Sequence, residues 1–353
     1  MNDRFLRACR REPVDATPVW FMRQAGRSFA GYRALRERYG ILELAKTPDL
    51  CAEVTLMPVR DLGVDAAVLF ADIMLPLEPM GVGLRIEPEI GPIIDRPIRT
   101  PADVDALGAF DPAGIWFTLE ALRLVRRELD GAAGVIGFSG APFTLACYLI
   151  EGRPSRDFST AKAFMYREPE AWHRLLGKLS DMAIAYLQAQ VEAGADVVQL
   201  FDSWVGGLGP ADYVTYVQPH VRRIFDALTV PAIHFATSAS GLLELLADAG
   251  GDVIGVDHRV SLADAWRRVG YDRGVQGNLD AGRLLAGWPA TEAGARAVLD
   301  EAEGRDGHVF NLGHGVLPQT DPDLLRRLVD FVHEATAGGK VPSSASAAFG
   351  ARA

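Results

Sequence analysis

Two arginines four residues apart follow a short apolar run near the start of the chain. The run "PVWF" ends at Phe21, and "MRQAGR" then carries Arg23 and Arg27. Paired guanidinium groups suit carboxylate ligands, because each can donate two parallel hydrogen bonds to one anion. Gly26 favours this interpretation, since a residue without Cβ lets the backbone approach a ligand closely. Ion pairing with acids of neighbouring helices is the structural alternative.

Four further residues have side chains that could bind a ligand or take part in catalysis, and each lies just after an apolar run or in a segment that reads as the start of a helix. Asp72 lies in "LFADIMLP", where an ionised carboxylate needs a partner because apolar surroundings make its charge costly. Tyr148 lies in "APFTLACYLIEG", Ser203 in "FDSWVGG" and His314 in "NLGHGVLP". The alternatives are a turn cap for the aspartate, a core tyrosine and a helix N-cap for the serine. A Ser203–His314–Asp72 triad also stays open, although no G-x-S-x-G motif supports it.

The elements that carry these residues alternate in type along the chain. Short β-branched and apolar runs are separated by amphipathic segments such as 171–194, which ends on a glycine suited to a helix C-terminus. We therefore predict a single (β/α)8 TIM barrel of α/β class, with the site residues at the carboxyl ends of its strands. An open doubly wound sheet is the alternative. The predicted strands are 18–22, 66–70, 135–139, 197–201, 232–236, 253–257, 275–279 and 309–313.

The interval between the second and third predicted strands is too long for one helix. The segment 80–98 predicts a glycine-turned hairpin, and "TPADVDAL" predicts a capped helix start. We interpret both as insertions in one catalytic domain, residues 1–336. The tail 337–353 is rich in small and polar residues and is predicted to be disordered.

Composition excludes several classes of function. A formal net charge of −10 without a basic block argues against nucleic-acid binding. No apolar run is long enough to span a membrane, so no membrane partner is expected. The three cysteines are far apart in sequence, which favours a reducing cytoplasm over a disulfide scaffold or a cysteine-rich zinc site. The chain contains no P-loop, no strand-following G-x-G-x-x-G and no H-E-x-x-H motif.

Taken together, the motifs resemble those of the uroporphyrinogen decarboxylase family. The resemblance is carried by "PVWFMRQAGR", "LFADIMLPLEPMG", "GFSGAPFTLACYLIEG", "QLFDSWVG", "GVQGNLDA" and "NLGHGVLPQTDPD", which follow one another in family order from residue 18 to about 323. The chain departs from the family after the arginine pair. Members commonly continue "RYLPEYR", whereas this chain reads "RSFAGYR" from Arg27 to Arg33, so the shape of that loop is open while the two arginines remain.

The resemblance implies a single (β/α)8 barrel that works as a homodimer, and the cysteine usage described above predicts that it is cytoplasmic. It implies decarboxylation of the four acetate side chains of uroporphyrinogen III, without a cofactor or a metal, to give coproporphyrinogen III. Asp72, Arg23 and Arg27 are the implied catalytic residues. The implied substrate-binding residues are Arg23, Gln24, Ala25, Gly26, Arg27, Asp72, Tyr148, Ser203 and His314. We expect ionised Asp72 to hydrogen-bond the pyrrole N–H groups of the substrate.

Two rival functions remain at the level of sequence. Methyltransferases of the same superfamily carry a His-x-Cys zinc pair near the fifth strand, where this chain has His234 and, in place of the cysteine, Ala236. The loss of the thiolate argues against that zinc site. A barrel that binds tetrapyrroles without catalysis is the second rival. It is disfavoured by Asp72 and the arginine pair, because binding alone does not require a buried acid.

Overall fold

The computed structural model describes residues 2–87 and 90–339. Seven parallel strands form one sheet in the order β1-β4-β5-β6-β7-β8-β9, and β2 and β3 form a separate antiparallel hairpin. The strands are β1 (Ala66–Val68), β2 (Leu84–Glu87), β3 (Gly91–Ile94), β4 (Gly134–Gly140), β5 (Val197–Asp202), β6 (Ala232–Ala236), β7 (Val253–Gly255), β8 (Gly274–Leu279) and β9 (His308–Leu312).

Helices separate successive strands of this sheet, as expected for parallel strands joined by crossover connections. The helices are α1 (Arg4–Cys9), α2 (Ala30–Arg38), α3 (Ile41–Lys46), α4 (Pro48–Leu62), α5 (Pro101–Asp105), α6 (Trp116–Leu129), α7 (Pro142–Glu151), α8 (Ser159–Arg167), α9 (Pro169–Glu192), α10 (Pro210–Tyr216), α11 (Gln218–Asp226), α12 (Leu243–Ala249), α13 (Leu262–Val269), α14 (Gly282–Leu285), α15 (Trp288–Ala302) and α16 (Pro322–Thr336). The glycine expected to end the long helix, Gly194, has φ +117° two residues beyond α9.

The first predicted strand, 18–22, is not a regular strand but closes the sheet. Val19 forms a single parallel bridge with Phe310 of β9. On the other side, the Val19 carbonyl accepts a hydrogen bond from the Asp65 backbone N–H at 2.8 Å, directly before β1. The segment therefore lies between the last and first strands of the sheet. Pro18 limits regular pairing because it has no N–H to donate.

Buried polar side chains hold this closing segment in place. The Asp65 carboxylate is 1% exposed and accepts hydrogen bonds from Val19 N (2.7 Å), Arg4 Nη1 (2.9 Å) and His333 Nε2 (2.7 Å). Burial alone would raise the pKa of Asp65, but the hydrogen bonds more than offset it, so the pKa is lowered. Inside the barrel, the Trp20 indole donates to Gln276 at 2.9 Å. These contacts fix the segment that leads into Arg23.

The core lies between the sheet and the helices and extends through the barrel interior. The apolar faces of α4, α6, α9 and α16 are buried, and they include the fully buried Trp172 of α9. Burying large apolar side chains stabilises the fold by about 25 cal/mol per Å² removed from water. Among the described residues, no helix combines the length and apolarity needed to cross a membrane.

The long interval after β1 contains the antiparallel hairpin β2–β3 and the short helix α5. Thr100 caps α5, as its hydroxyl accepts a hydrogen bond from Asp103 N at 3.3 Å. Residues 337–339 of the predicted tail form a 3-10 turn after α16. The rest of that prediction, 340–353, lies outside the described residues.

Candidate active site

A cavity of about 530 Å³ opens at the carboxyl ends of the strands, where barrel chemistry is usually built. Eight of the nine site residues expected from sequence line it. Its lining residues are Met22, Arg23, Ala25, Gly26, Arg27, Ser28, Tyr32, Ile41, Val68, Leu69, Phe70, Ala71, Asp72, Ile73, Ile86, Gly91, Pro92, Phe138, Tyr148, Phe201, Ser203, Phe235, Thr237, His314, Gly315, Val316 and Pro318.

Arg23 is placed by an unusual backbone turn. Its φ is +57°, a left-handed conformation that a residue with a side chain adopts at some cost. The side chain then packs over Gly315, where a Cβ would lie 2.6 Å from Arg23 Cδ. A Cβ on Gly26 would lie 3.0 Å from the Arg23 carbonyl oxygen, so this glycine permits the tight turn. Both glycines therefore serve the orientation of one guanidinium group.

The two guanidinium groups have no partner within the described part of the chain. Arg23 and Arg27 are exposed, and neither donates a side-chain hydrogen bond or joins an ion pair there. The structural alternative, pairing with helix acids, is therefore wrong for the described residues. Two unpaired cations at one cavity wall provide the charge for an anionic ligand.

Gln24 is the one expected substrate contact that does not reach the cavity. It is fully buried, its Oε1 accepts from Phe21 N at 3.0 Å, and its Nε2 donates to the Ala66 carbonyl at 2.9 Å. Both polar atoms of this side chain hold the turn against β1 and do not face the cavity, while the expected contact of residue 24 with the substrate stays a prediction. Ala25, next in the chain, does line the cavity.

Asp72 is the acid of the cavity. Its Oδ1 accepts a hydrogen bond from the Met74 backbone N–H at 2.8 Å, while Oδ2 has no partner among the described residues. Burial raises the pKa of Asp72, and the Met74 hydrogen bond and the positive charge of Arg23 oppose that shift without cancelling it. Burial therefore makes the ionised carboxylate less favourable than it is in water, and a cationic group bound beside it would favour the charged form.

Tyr148, Ser203 and His314 enter from three other elements. Tyr148 of α7 lies against Trp204, with ring centroids 4.1 Å apart, and burial followed by the charge of Asp72 raises its pKa. Burial, and then the charge of Arg23, lowers the pKa of His314, which favours the neutral imidazole. No hydrogen bond joins any two of Asp72, Ser203 and His314. The triad considered from sequence is therefore not assembled, although all three line the cavity.

An aromatic wall completes the site and was missed by sequence reasoning. Phe138, Phe201 and Phe235 lie near the ends of β4, β5 and β6 and meet edge to face, with centroids 5.3 and 5.9 Å apart. The available signal was a phenylalanine one or two residues before the end of three successive strands. Ile86 and Pro92 of the hairpin also line the cavity, so the insertion contributes to the site.

Other polar residues at strand ends turn away from the cavity. Asp202 and His234 are fully buried behind the wall, and Asp202 Oδ2 lies 3.8 Å from His234 Nε2, too far for a hydrogen bond. Asn278 donates both of its hydrogen bonds to backbone carbonyls, those of Asp257 and Val260. Among the described residues, no three His, Cys, Asp or Glu side chains are arranged to hold a metal ion.

The fold is a (β/α)8 barrel, and its cavity combines two guanidinium groups, one carboxyl group and three phenylalanine rings. Comparison with known proteins then identifies the family. The family model described as uroporphyrinogen decarboxylase (URO-D) matches residues 1–335. The chain belongs to the uroporphyrinogen decarboxylase family.

Curated relatives agree over nearly the full chain. A uroporphyrinogen decarboxylase from Sorangium cellulosum is 56% identical, covering 94% of this chain and 96% of that relative. Another from Roseiflexus sp. is 53% identical, covering 95% and 99% respectively. Among solved structures, a methyltransferase from Methanosarcina mazei superposes with a TM-score of 0.79 over 95% of this chain and 99% of the other, at 21% identity. That structural likeness concerns the fold alone.

Proposed function

We propose that this protein removes the four acetate carboxyls of uroporphyrinogen III and yields coproporphyrinogen III. The observation that carries the proposal is the convergence of a half-buried carboxyl, Asp72, with two guanidinium groups that have no partner among the described residues, in one aromatic-walled cavity. The phenylalanine faces suit the apolar pyrroles, and Arg23 and Arg27 suit the peripheral carboxylates. Membership of the family supports the same substrate.

Decarboxylation requires an acceptor for the electron pair of the C–CO₂⁻ bond that breaks. Protonation of the pyrrole α-carbon next to the ring carbon that bears the acetate makes the ring cationic and leaves the acetate-bearing carbon conjugated with that cation. Cleavage of the C–CO₂⁻ bond then returns its electron pair to the ring and releases carbon dioxide. The exocyclic methylene carbon takes up a proton to become the methyl group, and the ring carbon gives up its proton. Each cycle thus exchanges one carboxylate for one hydrogen.

Asp72 is placed to stabilise this cation. Its free Oδ2 can accept hydrogen bonds from pyrrole N–H groups, and the resulting positive charge favours the ionised carboxylate that burial disfavours. Because the carboxylate is already oriented by Met74, little reorganisation is needed as the charge develops. A cavity that excludes water strengthens this interaction.

The remaining groups bind and orient the substrate. Arg23 and Arg27 bind carboxylates, and one of them, directly or through a bound water, passes a proton to the reacting acetate arm. Tyr148, Ser203 and the neutral His314 donate hydrogen bonds to other carboxylates. We propose that Gly26 and Ala25 matter because they keep the wall near Arg23 free of bulk.

We further propose that the protein works as a cytoplasmic homodimer. The support for the dimer is the family resemblance, and Tyr166 and Val214, exposed at 52% and 42% on neighbouring helices, are candidates for its contact surface. The three cysteines are free and buried, as expected for a reducing compartment. Light scattering on a size-exclusion column measures the mass, and a single 38 kDa species would contradict the dimer.

The activity is tested by incubating the purified protein with uroporphyrinogen III under anaerobic, reducing conditions. Products are oxidised and separated by carboxyl number, with species of seven, six, five and four carboxylates expected in turn. Substrate that keeps all eight carboxylates would overturn the proposed function, and tight binding without turnover would support the non-catalytic alternative instead.

A further inference from the structure

The loop that follows β7 carries an ion pair and packs against chain segments next to the cavity, although Arg259 itself is not among the residues that line it. Asp257 is 4% exposed, and its Oδ2 accepts hydrogen bonds from Ser238 N at 2.5 Å and from Arg259 Nη1 at 2.6 Å. Its Oδ1 accepts from Arg259 N at 2.9 Å. The buried carboxylate therefore holds both the backbone and the guanidinium group of Arg259.

Two contacts place this loop between known walls of the cavity. Ser238, which shares Asp257 Oδ2 with Arg259, directly follows the lining residue Thr237. On the other side, a Cβ on Gly313 would lie 2.3 Å from the His258 backbone nitrogen, so the end of β9 packs directly on the loop. The next residue of β9's extension is the lining residue His314. After burial and Arg23, the charge of Arg259 helps to lower the pKa of His314, consistent with this proximity.

The guanidinium of Arg259 keeps a binding edge available. Nη1 is engaged by Asp257, whereas Nε and Nη2 have no acceptor in the described ranges, and the side chain is 52% exposed. Elsewhere in this chain, Arg268 uses the same two atoms, Nε and Nη2, to donate hydrogen bonds to the two carboxylate oxygens of Glu244. Because Asp257 already fixes the group, little side-chain entropy remains to be lost on binding.

We propose that Arg259 is a third carboxylate-binding arginine, which holds a peripheral carboxylate of the tetrapyrrole at the rim beside His314. The inference rests on the proposed function. A macrocycle with eight carboxylates presents several of them at the cavity mouth, where Arg23 and Arg27 serve only one wall. Farther along the loop, a second polar cleft of about 330 Å³ is lined by Arg259 and by further charged residues, Asp280, Arg283 and Glu301. The two acids there outnumber Arg283, so this cleft is less favourable for a carboxylate than the His314 side.

The test compares steady-state kinetics of the wild type, Arg259→Gln and Arg259→Lys with uroporphyrinogen. A matched control is Arg267→Gln, since Arg267 is an exposed arginine ion-paired to Asp264 on the helix that follows the same loop. Loss of one charge-assisted contact is expected to raise KM about tenfold in Arg259→Gln with kcat within about twofold. Arg259→Lys falls between, because an ammonium keeps the charge but cannot donate two parallel bonds. Arg267→Gln matches the wild type.

The possible results distinguish a failure of the role proposed for Arg259 from a failure of the proposed function. An active wild type with an unchanged KM in Arg259→Gln overturns the inference alone. A lower kcat at unchanged KM also overturns it, because it shows that Arg259 only supports the loop through Asp257. An inactive wild type overturns the proposed function, and the inference with it. Thermal melting checks that each variant is folded, and if the glutamine variant is not, the KM of Arg259→Lys decides.

Discussion

Replacing Asp72 by asparagine separates charge from shape at the centre of the proposed mechanism. The amide oxygen of asparagine can still accept the hydrogen bond from Met74 N, so only the charge is removed. At about 4 Å and an effective dielectric constant of about 20, a carboxylate stabilises a unit positive charge by about 4 kcal/mol. Since about 1.4 kcal/mol is a factor of ten in rate, kcat should fall by roughly 10² to 10³. KM should change much less, because the arginines still bind the carboxylates.

The same substitution should stabilise the folded protein at neutral pH. Burial raises the pKa of Asp72 above its ordinary value of 3.8, so the folded state binds the proton more tightly than the unfolded state. The ionised carboxylate therefore lowers the free energy of unfolding at neutral pH, and the penalty disappears once the pH falls below the ordinary value. Asp72→Asn should accordingly melt at a higher temperature than the wild type near pH 7, with the difference lost at about pH 3.

The two readouts together test the reasoning about Asp72. Turnover is measured by porphyrin product analysis, and stability by thermal unfolding at both pH values. Asp61→Asn is the control, since Asp61 is an exposed aspartate at the end of α4 and should affect neither quantity. As the pH is lowered, kcat/KM of the wild type should fall with a midpoint above pH 3.8, because burial raises the pKa of Asp72. If Asp72→Asn keeps kcat within tenfold of the wild type, stabilisation of the cation by Asp72 is refuted.

Three further changes probe the turn and its support. Arg27→Ala should raise KM or lower turnover much more than Arg27→Lys does, because lysine keeps the charge; equal effects in kinetics would show that charge is unimportant there. Gly315→Ala places a methyl group 2.6 Å from Arg23 Cδ, so KM should rise several-fold while circular dichroism stays unchanged; an unaltered KM would contradict the role of Arg23. Asp65→Asn should lower the free energy of unfolding in urea by about 3 kcal/mol at pH 7. Because the pKa of Asp65 is lowered, this difference should shrink as the pH falls below about 4, and a pH-independent difference would contradict the ionic role.

Sequence patterns predicted most of the sheet because they follow from local chemistry. Buried parallel strands need continuous apolar runs, and seven of the eight predicted runs are strands of the observed sheet. The run at 18–22 has the same composition, yet it forms only one bridge, between Val19 and Phe310, because Pro18 has no N–H to extend the pairing. Its neighbours on both sides, Phe310 and Asp65, are remote in sequence. The hydrogen bonds available to a segment depend on what tertiary packing places beside it.

In the candidate site, too, some side chains were predicted correctly from the sequence, whereas the position of others depended on the tertiary structure. Residue type and motif order were enough to select Arg23, Arg27, Asp72, Tyr148 and His314, all of which line one cavity. The sequence could not show that Gln24 turns inward to Ala66, since the residue lies between cavity-lining neighbours and has the same local signal.

The sequence by itself thus determined the alternating architecture, the family and the chemical groups available for catalysis, because these depend on residue identity and spacing along the chain. Only the tertiary structure decided that the two guanidinium groups have no partner within residues 2–87 and 90–339, that three phenylalanines form one wall, and that burial raises the pKa of Asp72. The physical reason is that burial, electrostatic environment and hydrogen-bond satisfaction are properties of neighbours in space. Those neighbours come from elements separated by scores of residues in the chain.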